Sequence, residues 1–283
     1  MHLAVEAIDA TVELEQSERT FKSDQIRVSS IGKCARKSVA QALGLINSSI
    51  PWKFNEGGHV LEERATTRIL RQWPLSIAQV SVPTSADGTW THPDLLIVFE
   101  LEAIADAKPG QRQTDRAVSS HGVQIKSTRK RSIAEYLEGR RDEKFGLPKP
   151  DQVDQALLEW YFWRRAGFCL TREQPRRRIE GFPQSYELLY LGQEDFGGTR
   201  CSIPIEYDEQ RAEQLAQEFT RRVEALQWGE LVPAIKREPD YECAYTPKTY
   251  DFDGPRLEEP SVCGMYEQCW GKSWEPKERA RRR

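Results

Sequence analysis

Five polar residues in the 283-residue chain are spaced to do chemistry on a phosphate. Asp94 opens an apolar run that ends at Phe99, and further on Gln124 and Lys126 alternate with Val123 and Ile125. Alternate residues of a strand share a face, so Gln124 and Lys126 are expected on one side and the two apolar residues on the other. Glu62 falls in an upstream helical pattern and Gln155 near the start of a later one. Phosphodiester cleavage asks for a divalent cation that polarises the phosphate and acidifies a water. Such a hard cation prefers oxygen donors, and a nearby positive group offsets the charge that develops in the transition state. Glu62, Asp94 and Gln124 supply the oxygens and Lys126 the positive group. His59, three residues before Glu62, is read as a surface neighbour of that acid. Gln152, Gln155 and Glu159 share one helical face and add a polar stripe.

A second chemistry is written in cysteine. Cys263-Gly-Met-Tyr-Glu-Gln-Cys269 is a C-x5-C unit, Cys243 precedes it, and Cys34 stands far upstream. Four soft thiolates hold either an iron–sulfur cluster or a zinc ion, and spacing leaves both open. Cys169 and Cys201 lie in apolar segments and are expected as buried thiols.

The elements that must position these groups follow from periodicity. A helix is expected over Ser38–Leu43, ended by Gly44. Asn55 is expected to cap a helix running to about Trp73, with Leu61, Ala65, Ile69 and Trp73 on one stripe and Pro74 as its stop. Short strands are expected over Ile77–Val82 and, after an Asp87-Gly88 turn, Asp94–Phe99, the latter of the buried sort. Residues 103–120 read as a polar loop and Gly122–Ser127 as the next strand. A helix over Asp151–Arg165, a strand pair over Ser185–Leu191 and Arg200–Ile205 joined at Gly197-Gly198, and a helix over Asp208–Trp228 complete the core. The division expected is an arm over 1–24, a core over 25–232 to which Cys34 belongs, and a cysteine-bearing region over 233–283 with a basic end.

These residues together resemble the PD-(D/E)xK nucleases, on the RecB-like branch that carries a [4Fe-4S] cluster. Asp94 with Gln124-x-Lys126-Ser127 is similar to the D…(D/E)xK signature, Gly58-x-x-x-Glu62-Glu63 to the first helical motif, and Gln155 to the glutamine motif. Ser29 or Ser30, Cys34 and Arg36 are similar to the N-terminal segment of the iron–sulfur members, and Cys263 and Cys269 to their C-terminal pair. Two departures stand out. Gln124 replaces the middle acid, and Cys243 lies well before the C-x5-C unit rather than two residues before it.

The resemblance implies a restriction-endonuclease-like α/β fold, a mixed central sheet flanked by helices with a cysteine-stapled tail packed on the N-terminal helix. It implies a Mg2+- or Mn2+-dependent exonuclease acting on single-stranded or frayed DNA ends. In that reading Glu62, Asp94, Gln124 and the Ile125 carbonyl hold the ion, Lys126 serves the water or phosphate, and Gln155 orients Lys126 or the phosphate. Cys34, Cys243, Cys263 and Cys269 hold the cluster, or zinc in its place. Nuclease or recombination proteins are the implied partners beside DNA. Two other readings stay open: a nuclease-fold DNA-binding module without catalysis, favoured by Gln124, and a zinc-stapled adaptor.

Net charge is -3, so DNA affinity must come from local basic runs such as Arg129–Arg131 and Arg176–Arg178 rather than from overall charge. No secretory pattern opens the chain and no run approaches a membrane span, so a cytoplasmic protein without a membrane partner is expected.

Overall fold

The strand that carries Gln124 and Lys126 lies at the centre of a seven-stranded sheet. In a computed structural model, residues 25–31, 33–45, 52–84, 89–105, 113–140, 146–172 and 177–232 are described, with four short strands beyond them. The expected Asp87-Gly88 turn, the arm over 1–24 and the cysteines at 243, 263 and 269 lie outside the described residues.

The chain forms two compact units. One comprises Arg27–Gly32 and Ile50–Arg221. Its strands β4 (Leu95–Ala105) and β5 (Thr114–Thr128) pair antiparallel, with irregular register around Glu100 and Ala103. On its other edge β5 runs parallel to β7 (Arg178–Glu180) near its start and to β8 (Ser185–Gly192) along its second half. β8 then pairs antiparallel with β9 (Arg200–Ile205). β1 (Ile77–Ala78) and β6 (Phe168–Leu170) extend this to a seven-stranded mixed sheet. β2 (Val82–Pro83) and β3 (Trp90–Thr91) form a small separate pair. The expected mixed sheet flanked by helices is what the chain builds.

Helices cover both faces of this sheet because each face is apolar. α2 (Trp52–Gln72) lays Leu61, Ala65 and Ile69 over Leu95, Val123, Ile125 and Leu191. On the opposite face α3 (Lys130–Leu137) and α4 (Pro150–Ala166) bring Ile133, Ala156 and Trp160 against Tyr186, Leu188, Tyr190 and Ile203. At roughly 25 cal/mol per Å2 of apolar surface removed from water, these two layers are the main source of the sheet's stability. α4 begins with a proline in its first turn and ends at Gly167, whose φ of 70° suits a left-handed cap.

Four details depart from expectation. Residues 103–120 are mostly strand, since β4 continues to Ala105 and β5 starts at Thr114. Their polar side chains mask a two-residue period in which Asp115 and Ala117 are buried while Arg116 and Val118 face solvent. Asp115 tolerates burial because Arg177 pairs with it. Asn55 lies inside α2 rather than at its cap, as the helix already begins at Trp52, next to Pro51 in the sequence, a residue suited to a first turn. The stripe of α2 also closes early, because Trp73 is exposed and meets Phe99 edge-on at 5.1 Å. Finally, α3 hides behind the basic run Arg129–Arg131, with Ile133 fully buried beneath it.

The other unit comprises Met1–Ile26, Lys33–Ser49 and Arg222–Arg283. Within it α1 (Ala35–Ala42) buries Val39 and Ala40. The guanidinium of Arg222, on α5 (Glu209–Gln227), donates to the Lys33 carbonyl at 3.1 Å. β10 (Ala244–Tyr245) pairs with β13 (Ser261–Val262), and β11 (Thr249–Asp251) with β12 (Gly254–Arg256). No helix among the described residues is long and apolar enough to cross a membrane.

Candidate active site

Asp94 sits one residue before β4, and its Oδ2 accepts the Ile125 amide of β5 at 2.7 Å. That bond sets the carboxylate beside the second half of β5, where the backbone leads on to Lys126. Asp94 keeps some contact with solvent, although protein packs densely around it. Burial pushes its carboxyl up to about 8, and the nearby charges of Glu62 and Glu159 push the same way. Lys126 and the Ile125 amide oppose that shift without cancelling it. Asp94 therefore feels Glu62 from α2, Lys126 from β5 and Glu159 from α4.

Lys126 is held in turn. Its Nζ donates to Gln155 Oε1 at 3.0 Å, and Gln155 Nε2 donates to Glu159 Oε1 at 2.9 Å, one helical turn further along α4. The Tyr186 hydroxyl donates to Glu159 Oε2 at 3.1 Å and lies 3.5 Å from Gln124 Oε1. Thr91 Oγ1 adds a longer contact to Glu159 Oε1 at 3.4 Å. Glu159 is 2% exposed, and burial raises its carboxyl above the usual range against the three donors and Lys126. Gln124 and Gln155 are buried with it.

Two glycines make room for this arrangement. Gly122 lies opposite Tyr186 in the β5–β8 ladder, and a Cβ there would enter the Tyr186 ring. Gly58 of α2 approaches Ser127 so closely that a Cβ would stand 3.3 Å from Ser127 Oγ. Ser127 also accepts from Gln193 Nε2 at 3.1 Å. Glu62 is a quarter exposed, and the exposed His59 stands 3.8 Å from it, as a surface neighbour would.

The structure thus places Asp94 in the field of Glu62, Lys126 and Glu159, with Gln155 joined through Lys126 and Gln124 through Tyr186. Glu159 takes a larger part than a polar stripe, because it anchors the amide that holds Lys126. Tyr186 was missed. Only its alternation with Leu188 and Tyr190 was visible in the sequence, while its pairing with Gly122 appears only in the fold.

Among the described residues no three His, Cys, Asp or Glu side chains gather tightly enough to hold an ion by themselves. A site here must also draw on the amide of Gln124 and the carbonyl of Ile125. The donors fit a hard cation in kind, being oxygens without exception, and in charge, since burial and the neighbouring carboxylates Glu62 and Glu159 raise the Asp94 carboxyl more than Lys126 lowers it.

Of the four implicated thiols only Cys34 is described. It is half-buried at the start of α1, and its carbonyl accepts Ser38 Oγ at 3.1 Å. Two residues on, Arg36 keeps a buried Nε with no hydrogen-bond partner among the described residues, a cationic donor that suits an anionic thiolate centre. Cys169 and Cys201 are buried as expected, and burial raises both thiols.

No protein-family profile matches the chain, and no curated protein does. Among solved structures it is similar to an alkaline exonuclease, LHK-Exo, from Laribacter hongkongensis, at 12% identity and a TM-score of 0.45 over 74% of this chain and 90% of that one. A structure of LHK-Exo in complex with dAMP aligns at 13% identity and a TM-score of 0.44, with the same shares covered.

Proposed function

We propose that the chain is a divalent-cation-dependent nuclease that hydrolyses DNA phosphodiester bonds, acting at single-stranded or frayed ends. The reading is carried by one observation: the Asp94 carboxylate, bonded to the Ile125 amide, shares its field with Glu62 and with a lysine that Gln155 holds in place. Glu62, Asp94, Gln124 and the Ile125 carbonyl would hold Mg2+ or Mn2+. When bound, that ion polarises the phosphate and lowers the pKa of a water. Lys126 places a positive charge where the phosphate gains negative charge, and Gln155 keeps the ammonium from drifting toward Glu159. Asp94 gives up its proton to bind the cation, so binding releases a proton below about pH 8.

The test is digestion of end-labelled single-stranded DNA with Mn2+ by wild type and by Lys126→Ala. A loss of about 10²–10³-fold is expected in the variant. Equal background cleavage by both proteins overturns the reading. Gln124 favours a second reading, a binding module, because an amide contributes no charge to the cation site. Tight DNA binding without any cleavage is the result that module predicts.

A four-thiolate centre at Cys34, Cys243, Cys263 and Cys269 belongs to the same proposal. It would act as a staple for its unit, as an iron–sulfur cluster or as zinc. The buried Nε of Arg36, without a hydrogen-bond partner among the described residues, supports it.

A further inference from the structure

The solvent side of α2 carries Arg64, Arg68 and Arg71, all exposed. At 1.5 Å per residue they stand about 6 Å and then about 4.5 Å apart along the axis, on one face. They border a shallow hollow of about 350 Å3 that they share with one carboxylate, Glu63. Neither Arg68 nor Arg71 is ion-paired to any described residue. This spacing is on the scale of charges along a nucleic-acid backbone, at ~3.4 Å per stacked nucleotide and more when extended.

Beside the arginines lies an aromatic that the fold does not use. Phe196 is 67% exposed and has a φ of 52°, a conformation that residues with a side chain rarely adopt. The ring gains little from burial, and its backbone is strained. The Arg64 guanidinium lies over it at 5.5 Å from the centroid. The turn that bears Phe196 is fastened to the catalytic strand through Gln193 and Ser127, and a Cβ at Gly197 would stand 3.6 Å from Leu61 of α2. A path therefore runs from the residue after Lys126, across this turn, to the arginine face.

We propose that Phe196 with Arg64, Arg68 and Arg71 forms a track for single-stranded DNA. An unpaired base stacks on the ring, and the following phosphates lie along the guanidiniums. An exposed ring serves an unpaired base, whereas the bases of a duplex are already stacked, so the track selects single strands. That the track feeds the Lys126 site rests on the nuclease reading; that it binds DNA does not.

The experiment measures fluorescence anisotropy of labelled oligo(dT) and of a duplex of equal length with the full chain. Lys126→Ala serves as background, so that no substrate is consumed. Adding Arg68→Ala with Arg71→Ala is expected to weaken oligo(dT) binding and to reduce the slope of log K against log salt by about 1.4, for two phosphate contacts on a single strand. Adding Phe196→Asn, which tolerates the left-handed backbone, is expected to weaken oligo(dT) binding about 5–150-fold and to leave duplex binding unchanged. Circular dichroism establishes that each variant is folded. An unchanged salt slope, equal effects of Phe196→Asn on both ligands, or no oligo(dT) binding at all overturns the track. Cleavage by wild type is read separately. Cleavage with unaffected binding in the variants removes the track and leaves the nuclease. Affected binding without cleavage keeps the track and removes the nuclease.

Discussion

Gln155 donates its amide nitrogen to Glu159 at 2.9 Å, and this bond decides which end of the amide faces Lys126. With the nitrogen turned to the carboxyl, the carbonyl oxygen is left for the ammonium. Glu159→Gln keeps the shape and replaces one acceptor oxygen with an N–H donor. The new amide can turn its own nitrogen toward Gln155, which then flips and presents N–H groups to Lys126. A fall in kcat of about 10–100-fold is expected, the size seen when partners that orient a site are removed, with KM little changed and the fold intact. A kcat within twofold of wild type would show that Glu159 only fills space.

Gly122 and Tyr186 give a test of the same network from the other side. A methyl group at 122 must displace the Tyr186 ring, which carries the hydroxyl to Glu159 and toward Gln124. Gly122→Ala should destabilise the protein by about 1–3 kcal/mol in urea unfolding, as overpacking of a dense core does. Tyr186→Phe keeps the ring and loses one bond, so its cost should be nearer 1 kcal/mol. Both should lower activity. A Gly122→Ala protein as stable and active as wild type would show that the ring moves freely and positions nothing.

The cysteine centre is checked without any assay of cleavage. Anaerobically purified protein should be brown with broad visible absorption if the centre is iron–sulfur, and Cys34→Ser should bleach it. Because such centres supply folding energy to their surroundings, bleaching should lower the thermal midpoint of the unit that contains α1. A colourless protein with one stoichiometric zinc assigns the site to zinc, and a protein with neither metal removes the centre.

How far the sequence could be read depended on whether a residue's role was local. Asp94, Lys126 and Gln155 were legible because each sits where a strand or helix pattern begins or alternates, and periodicity fixes such faces. Along β5 the side chains alternate: Val123 and Ile125 meet α2, while Gln124 lies near the Tyr186 hydroxyl and Lys126 reaches Gln155 of α4. Tyr186 was not legible, since its importance comes from a parallel pairing with β5 that no local pattern announces. The strand content of 103–120 was hidden for a related reason. Asp115 looks like a loop residue until Arg177, distant in sequence, neutralises it inside the sheet.

The carboxyl of Asp94 makes stability depend on pH and on cation together. Its pKa in the folded protein is raised to about 8 from an ordinary 3.8, so between those values the unfolded chain is ionised while the folded one keeps its proton. The unfolded state then binds fewer protons, and stability falls as pH rises from about 4 to about 8, levelling off above that. Asp94→Asn removes this slope. In the absence of divalent ions the variant should be more stable than wild type at pH 8 by about 1–3 kcal/mol, less than the full shift would give because water at the carboxylate screens it. Its cleavage should be lost. Divalent cation should reverse the order, since an ion that binds only the folded, ionised site raises the wild-type midpoint with concentration and leaves Asp94→Asn unmoved. Thermal unfolding at pH 5, 7 and 8.5, with EDTA and with millimolar Mn2+, reads all of these at once. A flat pH profile for wild type in EDTA would show that Asp94 is ionised without a cation. An equal Mn2+ response in both proteins would place the ion somewhere other than Asp94.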